Sequence, residues 1–126
     1  ISDRATDERV KALADDPQWY DTDLWQELAG ASLLGVALRE EYGGGGFGMT
    51  ELAGLCEEAG HCIAPLPILS TLVLGALPLQ EFGAPEQKDS LLPEVVAGKT
   101  YLTAAFAVLG HIDPARHATV AQRAGA

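Results

Sequence analysis

A nearly continuous apolar stretch, Leu66–Leu79, constrains the fold of this chain more than any other feature. Ser70, Thr71 and Pro78 interrupt it, and Pro67 stands where the first turn of a helix tolerates proline. A membrane-spanning helix needs about 20 apolar residues, and this stretch has 14 residues. We therefore expect a helix that is buried in the middle of a helical bundle.

Shorter amphipathic patterns on both sides of this stretch also predict helices. Each pattern places apolar residues at helical spacing and charged residues on the opposite side. The predicted helices run from Asp3 or Asp7 to about Ala14, from Asp21–Asp23 to Gly30, from Met49 to about His61, and from Glu86 to Ala97, with Gly98 as the C-terminal cap.

A glycine run, Gly43–Gly46 followed by Gly48, predicts a loop, because glycine loses the most backbone entropy in a helix or strand. Its spacing also matches a dinucleotide-binding fingerprint, G-x-G-x-x-G. Residues 39–42 separate it from the preceding apolar run, and no acidic residue stands near position 68 to bind a ribose. We interpret the run as a structural connector.

The sequence changes character after Lys99. Residues 101–108 favour a strand, and residues 118–123 alternate like a second one. We therefore predict a mainly α fold, with a helical domain over residues 1–99 and the first strands of a β-domain over residues 100–126. Because the chain of 126 residues starts at Ile1, we expect a fragment of a larger chain.

The chain is strongly acidic, with 18 acidic and 8 basic residues and a net charge of −10. A surface of this sign repels nucleic acid and anionic lipid headgroups, so we expect neither as a partner. Two cysteines are too few for a disulfide scaffold, and no secretory leader is recognisable. We therefore expect a cytoplasmic protein.

Cys56, His61 and Cys62 lie close together in the sequence, as metal ligands often do. A closed zinc site takes four ligands, and the remaining histidines, His111 and His117, fall in the later part of the chain. Cys56 lies on the predicted apolar side of its helix, where a free cysteine behaves as a small apolar residue. We predict no metal site.

Several of these features occur together in a fixed order. Glu41-Tyr42-Gly43-Gly44-x-Gly46-x-Gly48 precedes a helix with Glu57-Glu58, the long apolar helix follows, and then come Phe82-Gly83-x-x-Glu86-Gln87-Lys88 and Leu92-Pro93-x-x-x-x-Gly98. With this order and spacing, residues 10–126 resemble the N-terminal helical domain and the start of the β-domain of the acyl-CoA dehydrogenases.

The resemblance implies a function for the parent polypeptide. Acyl-CoA dehydrogenases desaturate an acyl-CoA thioester between its α- and β-carbons with FAD as the hydride acceptor, in fatty acid or sterol degradation, and they form homo- or hetero-tetramers. The catalytic base of the family usually lies in a C-terminal helical bundle that these residues do not reach. The resemblance therefore implies no catalytic residue in this region, which would form part of the acyl-pocket wall and of the subunit interface.

The resemblance also implies two groups of binding residues. The long apolar helix walls the acyl pocket, and the matching substrate-binding positions are Leu66, Ser70 and Leu74, which a spacing of four places on one helix face. In the β-domain, the backbone of Phe106 and Ala107 would contact the flavin ring.

Residues 107–113 depart from the Thr-Glu-Pro-Gly-x-Gly-Ser stretch that is typical of the family and lack the threonine that bonds the flavin. The first interpretation is part of a flavin-dependent acyl-CoA dehydrogenase. The second, which the departure favours, is a non-catalytic partner subunit of a hetero-oligomeric acyl-CoA dehydrogenase without its own flavin site. The third, a free-standing acidic helical binding domain, requires the strand-like tail to be accidental.

Overall fold

The computed structural model describes residues 1–14 and 16–104, which form a mainly helical unit. Its elements are α1 (Asp7–Ala14), α2 (Thr22–Gly30), a short 3-10 helix (Glu40–Tyr42), α3 (Met49–His61), a π-helix (Leu69–Ala76), α4 (Leu77–Phe82) and α5 (Pro85–Val96). The four helices that the amphipathic patterns predict are thereby confirmed, with ends within one or two residues of the expected positions. The π-helix runs directly into α4.

Only the first five residues of the predicted β-domain, 100–104, are among the described residues. Residues 101–104 carry no regular secondary structure, and no strand occurs in the described ranges. The rest of the first predicted strand and the whole of the second lie outside the described residues. The domain division at residues 99 and 100 therefore stays a prediction.

One apolar cluster forms the core, with Trp25 fully buried within it. Leu34, Leu52, Leu92 and Val95 are the other large apolar side chains that are almost completely enclosed. They come from α2, the turn after it, α3 and α5, so the core joins elements that are distant in sequence. Burial of each such side chain stabilises the fold by about 1.5–3 kcal/mol.

The long apolar helix is only partly buried by the described residues. Ile68, Leu72 and Ala76 lie in the core, whereas Leu69 keeps 59% of its surface exposed. The described residues thus enclose this helix in part, whereas its apolar pattern predicts a position in the middle of a helical bundle. Apolar composition predicts that a helix seeks burial, but it does not say how many neighbouring elements this part of the chain supplies.

A glycine cap ends α5. Gly98 has a φ of +70°, a conformation that favours glycine. Its N–H donates to the Val95 carbonyl at 2.9 Å, and the Lys99 N–H donates to the Glu94 carbonyl at 2.9 Å, which is the Schellman pattern. The sequence-based assignment of Gly98 as the cap is confirmed.

The same glycine joins α5 to α2. The Gly98 carbonyl accepts hydrogen bonds from Trp25 Nε1 at 3.1 Å and from Gln26 Nε2 at 2.9 Å. The ring of Tyr101 then packs beside Trp25, with 5.2 Å between ring centroids, and beside Tyr20, with 5.1 Å. Burial and a hydrogen bond with Tyr20 raise the pKa of Tyr101 to about 12, so its hydroxyl stays protonated at neutral pH.

The segment that follows crosses the π-helix at Gly75. A Cβ on Gly75 would collide with Leu102, so the close approach of the two backbones requires glycine there. Leu102 is among the half-buried side chains that pack against the core. The chain therefore leaves the helical unit over the π-helix.

The buried side chain and backbone of Asp21 link α1, α2 and the segment that follows α3. The Asp21 carboxylate caps α2 by accepting from the Leu24 N–H at 2.9 Å, and it accepts from both Arg9 Nη2, at 2.6 Å, and Arg9 Nε. The Asp21 N–H donates to the Pro65 carbonyl at 2.9 Å. The hydrogen bond from Arg9 holds the pKa of Asp21 below its usual value.

Two glycine variants test the link at the end of α5. In Gly98→Ala the new Cβ would lie 2.9 Å from the Ala29 Cβ at a residue with φ +70°, so we expect a loss of about 2–3 kcal/mol in the free energy of unfolding. Gly54, in the middle of α3, has open space around it. Gly54→Ala should therefore stabilise by about 0.5–1 kcal/mol. Urea denaturation measures the free energy of unfolding of each variant. Equal changes in the two variants would contradict a structural role for Gly98.

Acid titration tests the role of Asp21. Its folded pKa lies below the ordinary value of 3.8, so its contribution is present above that pH and is lost as the pH falls through the folded pKa. Asp21→Asn should cost about 2 kcal/mol at neutral pH and flatten the fall of stability in acid. The exposed Asp89→Asn is the matched control. Parallel stability curves for wild type and Asp21→Asn would contradict this assignment.

Candidate functional site

Two of the three predicted substrate-binding residues share one side of the π-helix. Ser70 and Leu74 lie four residues apart within it, and both are half-buried. The Ser70 hydroxyl donates to the Pro67 carbonyl at 3.1 Å, which fixes its position. This side of the π-helix, defined by Ser70 and Leu74, is called the open face below.

Leu66 does not lie on that helix. The helical segment starts at Ile68, because Pro67 disfavours the helical conformation in the residue before it. The prediction that Leu66, Ser70 and Leu74 share one helix face is therefore wrong for Leu66. Its side chain instead lines a groove on another side of the unit.

The structure adds Thr71, which the sequence analysis did not assign to a site. Thr71 is fully buried, and none of the described groups forms a hydrogen bond with its Oγ1. It lies four residues before Gly75, where Leu102 packs. An unpaired buried hydroxyl lowers the stability of the fold by about 1–3 kcal/mol. Thr71 also lies in a π-helix, and π-helical turns are frequent at functional sites. No signal in the sequence separates this threonine from an ordinary residue of the apolar stretch.

The groove lined by Leu66 has a volume of about 620 Å³ and is open to solvent. Its walls come from α1, from the end of α3 and from the segment between α3 and the π-helix. The residues that line it are Val10, Leu13, Ala14, Trp19, Cys56, Ala59, Gly60, Ile63, Ala64, Pro65, Leu66, Ile68 and Leu69. It is called the α1 groove below.

The glycine run is a loop, as predicted, and its backbone N–H groups are used within the protein. The N–H groups of Gly44, Gly45 and Gly46 donate to the carbonyls of Arg39, Gly35 and Leu38, at 2.8–3.1 Å. A phosphate-binding loop needs such N–H groups free to face the anion. This geometry supports the interpretation as a structural connector.

The surroundings of both cysteines favour the protonated thiol. Burial raises the pKa of the Cys56 thiol, and loss of solvent together with the neighbouring Glu58 carboxylate raises that of Cys62. Both thiols are thus protonated at neutral pH, whereas metal binding and nucleophilic attack need the thiolate. Within residues 1–14 and 16–104, no group of three or more His, Cys, Asp or Glu side chains is arranged to hold a metal ion.

The predicted flavin contacts, Phe106 and Ala107, lie outside the described residues, as does the departure at residues 107–113. FAD therefore stays a prediction of the sequence. Among the helices that the structure describes, none combines the length and the apolarity needed to cross a bilayer.

Comparison with known proteins identifies the fold. Residues 3–99 match the family model "Acyl-CoA dehydrogenase, N-terminal domain". Acyl-CoA dehydrogenase FadE27 of Mycobacterium tuberculosis is 36% identical over 101 residues, which are 80% of this chain and 27% of that protein. The chain thus spans about a quarter of the length of this curated relative.

Two solved structures agree with this match. A variant of the Tcur3481-Tcur3483 steroid ACAD is 50% identical, with a TM-score of 0.76 over 80% of this chain and 27% of that one. The ChsE4-ChsE5 complex from Mycobacterium tuberculosis is 35% identical, with a TM-score of 0.74 over 79% of this chain and 27% of that one. With the family model matching most of its length, the chain belongs to the acyl-CoA dehydrogenase family, and residues 3–99 are its N-terminal helical domain.

Proposed function

We propose that this chain is part of a two-component acyl-CoA dehydrogenase that desaturates the thioester of a steroid-derived acid. The observation that carries the proposal is the 50% identity to a protein described as a steroid ACAD and named by two components. The ChsE4-ChsE5 relative is likewise a complex of two named components. The assembly that we propose is a hetero-tetramer.

In this proposal the described residues bind and enclose the acyl group and take no part in the chemistry. In the reaction, a base outside the described residues would take a proton from the α-carbon, and a bound flavin would supply the acceptor for the hydride from the β-carbon. The open face supports the binding role, because Ser70 and Leu74 are half-buried beside the fully packed side of the π-helix. Ser70 is small and Leu74 is apolar, and such side chains suit contact with an apolar acyl group.

We further propose that this chain is the component without its own flavin site. The support is the departure at residues 107–113, where Asp113 brings a negative charge and the flavin-bonding threonine is missing. A neutral hydrogen bond is worth about 1 kcal/mol, so its loss weakens cofactor binding without other structural change. The flavin would then be held mainly by the companion component.

An autonomous flavoenzyme is the second candidate. It is supported by the match of residues 3–99 to the family model of acyl-CoA dehydrogenases in general. The two candidates differ in one property that is easy to measure, which is whether the full-length polypeptide alone retains FAD.

The visible absorbance of oxidised flavin decides between them. We expect the full-length polypeptide purified alone to be colourless, and the same polypeptide co-purified with its companion component to carry FAD. Ala107→Thr with Val108→Glu should raise the flavin content of the polypeptide alone. One flavin per chain in a homo-oligomer of the unmodified polypeptide would overturn the two-component proposal.

A further inference from the structure

We propose that the α1 groove docks an amphipathic helix of the companion component, with an apolar face bordered by lysine and arginine side chains. This inference rests on the proposed two-component function and adds the surface through which the components meet. Four observations carry it: the shape of the groove, its exposed apolar rim, a strained isoleucine on that rim, and the charge of the surrounding helices.

The groove has the form of a helix-binding site. Helix α1 has no buried residue and faces the groove with Val10 and Leu13, while Ala59 and Ile68 belong to the core beneath it. Ion pairs hold α1 in place, including that between Arg9 and Asp21. An apolar groove between a helix and a packed core is the form in which proteins bind amphipathic helices.

Large apolar side chains stand exposed around the opening. Trp19, Ile63 and Leu69 keep 81%, 75% and 59% of their surfaces exposed, and all three line the groove. Single exposed apolar residues are ordinary, but a contiguous exposed apolar patch marks an interaction site. Because these three side chains border one groove, they are not isolated exposures.

Ile63 is held in an unfavourable backbone conformation. Its φ is +50°, in the left-handed region that β-branched residues avoid. It follows α3 at the position where glycine is usual: the Ile63 N–H donates to the Gly60 carbonyl at 3.1 Å, and the Ala64 N–H donates to the Ala59 carbonyl at 2.8 Å. An exposed isoleucine there is explained neither by local structure nor by the core.

Two other helix ends show what this position normally holds. Gly98 occupies it after α5, and Ser32 occupies it after α2, with φ values of +70° and +60°. Glycine adopts this conformation at low cost, and serine lacks the β-branch that makes isoleucine the least suited of the three. Ile63 departs from this pattern, and it alone of the three lines the α1 groove. Residues that break a local rule are expected where they serve function.

The charge of the helices around the α1 groove indicates which kind of partner binds there. Helix α1, residues 16–19 and helix α3 carry six acidic and two basic residues. One of the two bases, Arg9, is already engaged with Asp21 and Asp23. A second copy of this chain, with a net charge of −10, would be repelled. The complementary partner is therefore a helix with a basic border around its apolar face.

Photo-cross-linking in the native assembly identifies the occupant. Ile63 is replaced by p-benzoylphenylalanine in the full-length polypeptide, which is purified in the assembly that it forms in its own host. We expect the cross-linked peptide to come from a lysine- and arginine-bordered helix of the companion. The same substitution at Ser32, which does not line the groove, is the control and should give no such cross-link.

The other results overturn the docking proposal. Cross-linking to another part of the same polypeptide, to a second copy of it, or to no protein in an intact two-component assembly would leave the proposed function standing without this interface. Purification as a single component with its own flavin would instead overturn the proposed function. The two failures are therefore distinguishable.

A glycine variant separates docking from folding. Ile63→Gly relieves the backbone strain, so we expect a higher melting temperature for the uncomplexed polypeptide. It also removes an apolar side chain from the interface, so we expect the dissociation constant of the assembly to rise at least about tenfold.

Ser32→Gly makes the same change at the end of α2 and should raise the melting temperature without changing the dissociation constant. The dissociation constant is measured by mass photometry on dilution. An unchanged dissociation constant for Ile63→Gly, or an equal change for Ser32→Gly, would overturn the proposal.

Discussion

The indole N–H of Trp25 donates to the carbonyl of Gly98, and this hydrogen bond joins residues that are 73 positions apart. Trp25 is fully buried, so loss of its partner would leave an unpaired donor at a cost of about 1–3 kcal/mol. The carbonyl belongs to the glycine with positive φ that ends α5. The position of α2 thereby fixes where α5 ends and where the chain leaves the helical unit.

The place where the chain leaves the helical unit determines which sides of the π-helix are covered. Leu102 crosses it at Gly75 and covers one side, while Leu72 and Ala76 bury another in the core. What is left are the open face and the side that carries Leu69 at the α1 groove. One of the two surfaces proposed for function is therefore a side of this helix, and the other, the α1 groove, meets the helix at Leu69.

Most of the helices and the cap of α5 could be predicted from the sequence, because the sequence patterns that specify them are local. Amphipathic spacing predicted four helices, and Gly98 was predictable as a cap because few residues other than glycine adopt its φ. The π-helix could not be predicted, because no local sequence pattern distinguishes its hydrogen bonding from that of an α-helix. Leu66 was misplaced because the spacing argument overlooked how Pro67 restricts the residue before it. The end of α3 was predictable at about His61, but the left-handed backbone of Ile63 just after it was not, because this conformation opposes the propensity of isoleucine.

We propose that the open face of the π-helix walls the acyl pocket, and two serine variants test this role. Ser70 and Ser90 each donate to the carbonyl three residues earlier, at 3.1 Å and 3.2 Å, but Ser90 is exposed on α5. In the assembled enzyme, Ser70→Phe should raise the KM for a bulky acyl-CoA at least about tenfold, a loss of about 1.4 kcal/mol in binding, whereas Ser90→Phe should leave it unchanged. Equal KM values for the two variants in folded, flavin-loaded enzyme would contradict the claim.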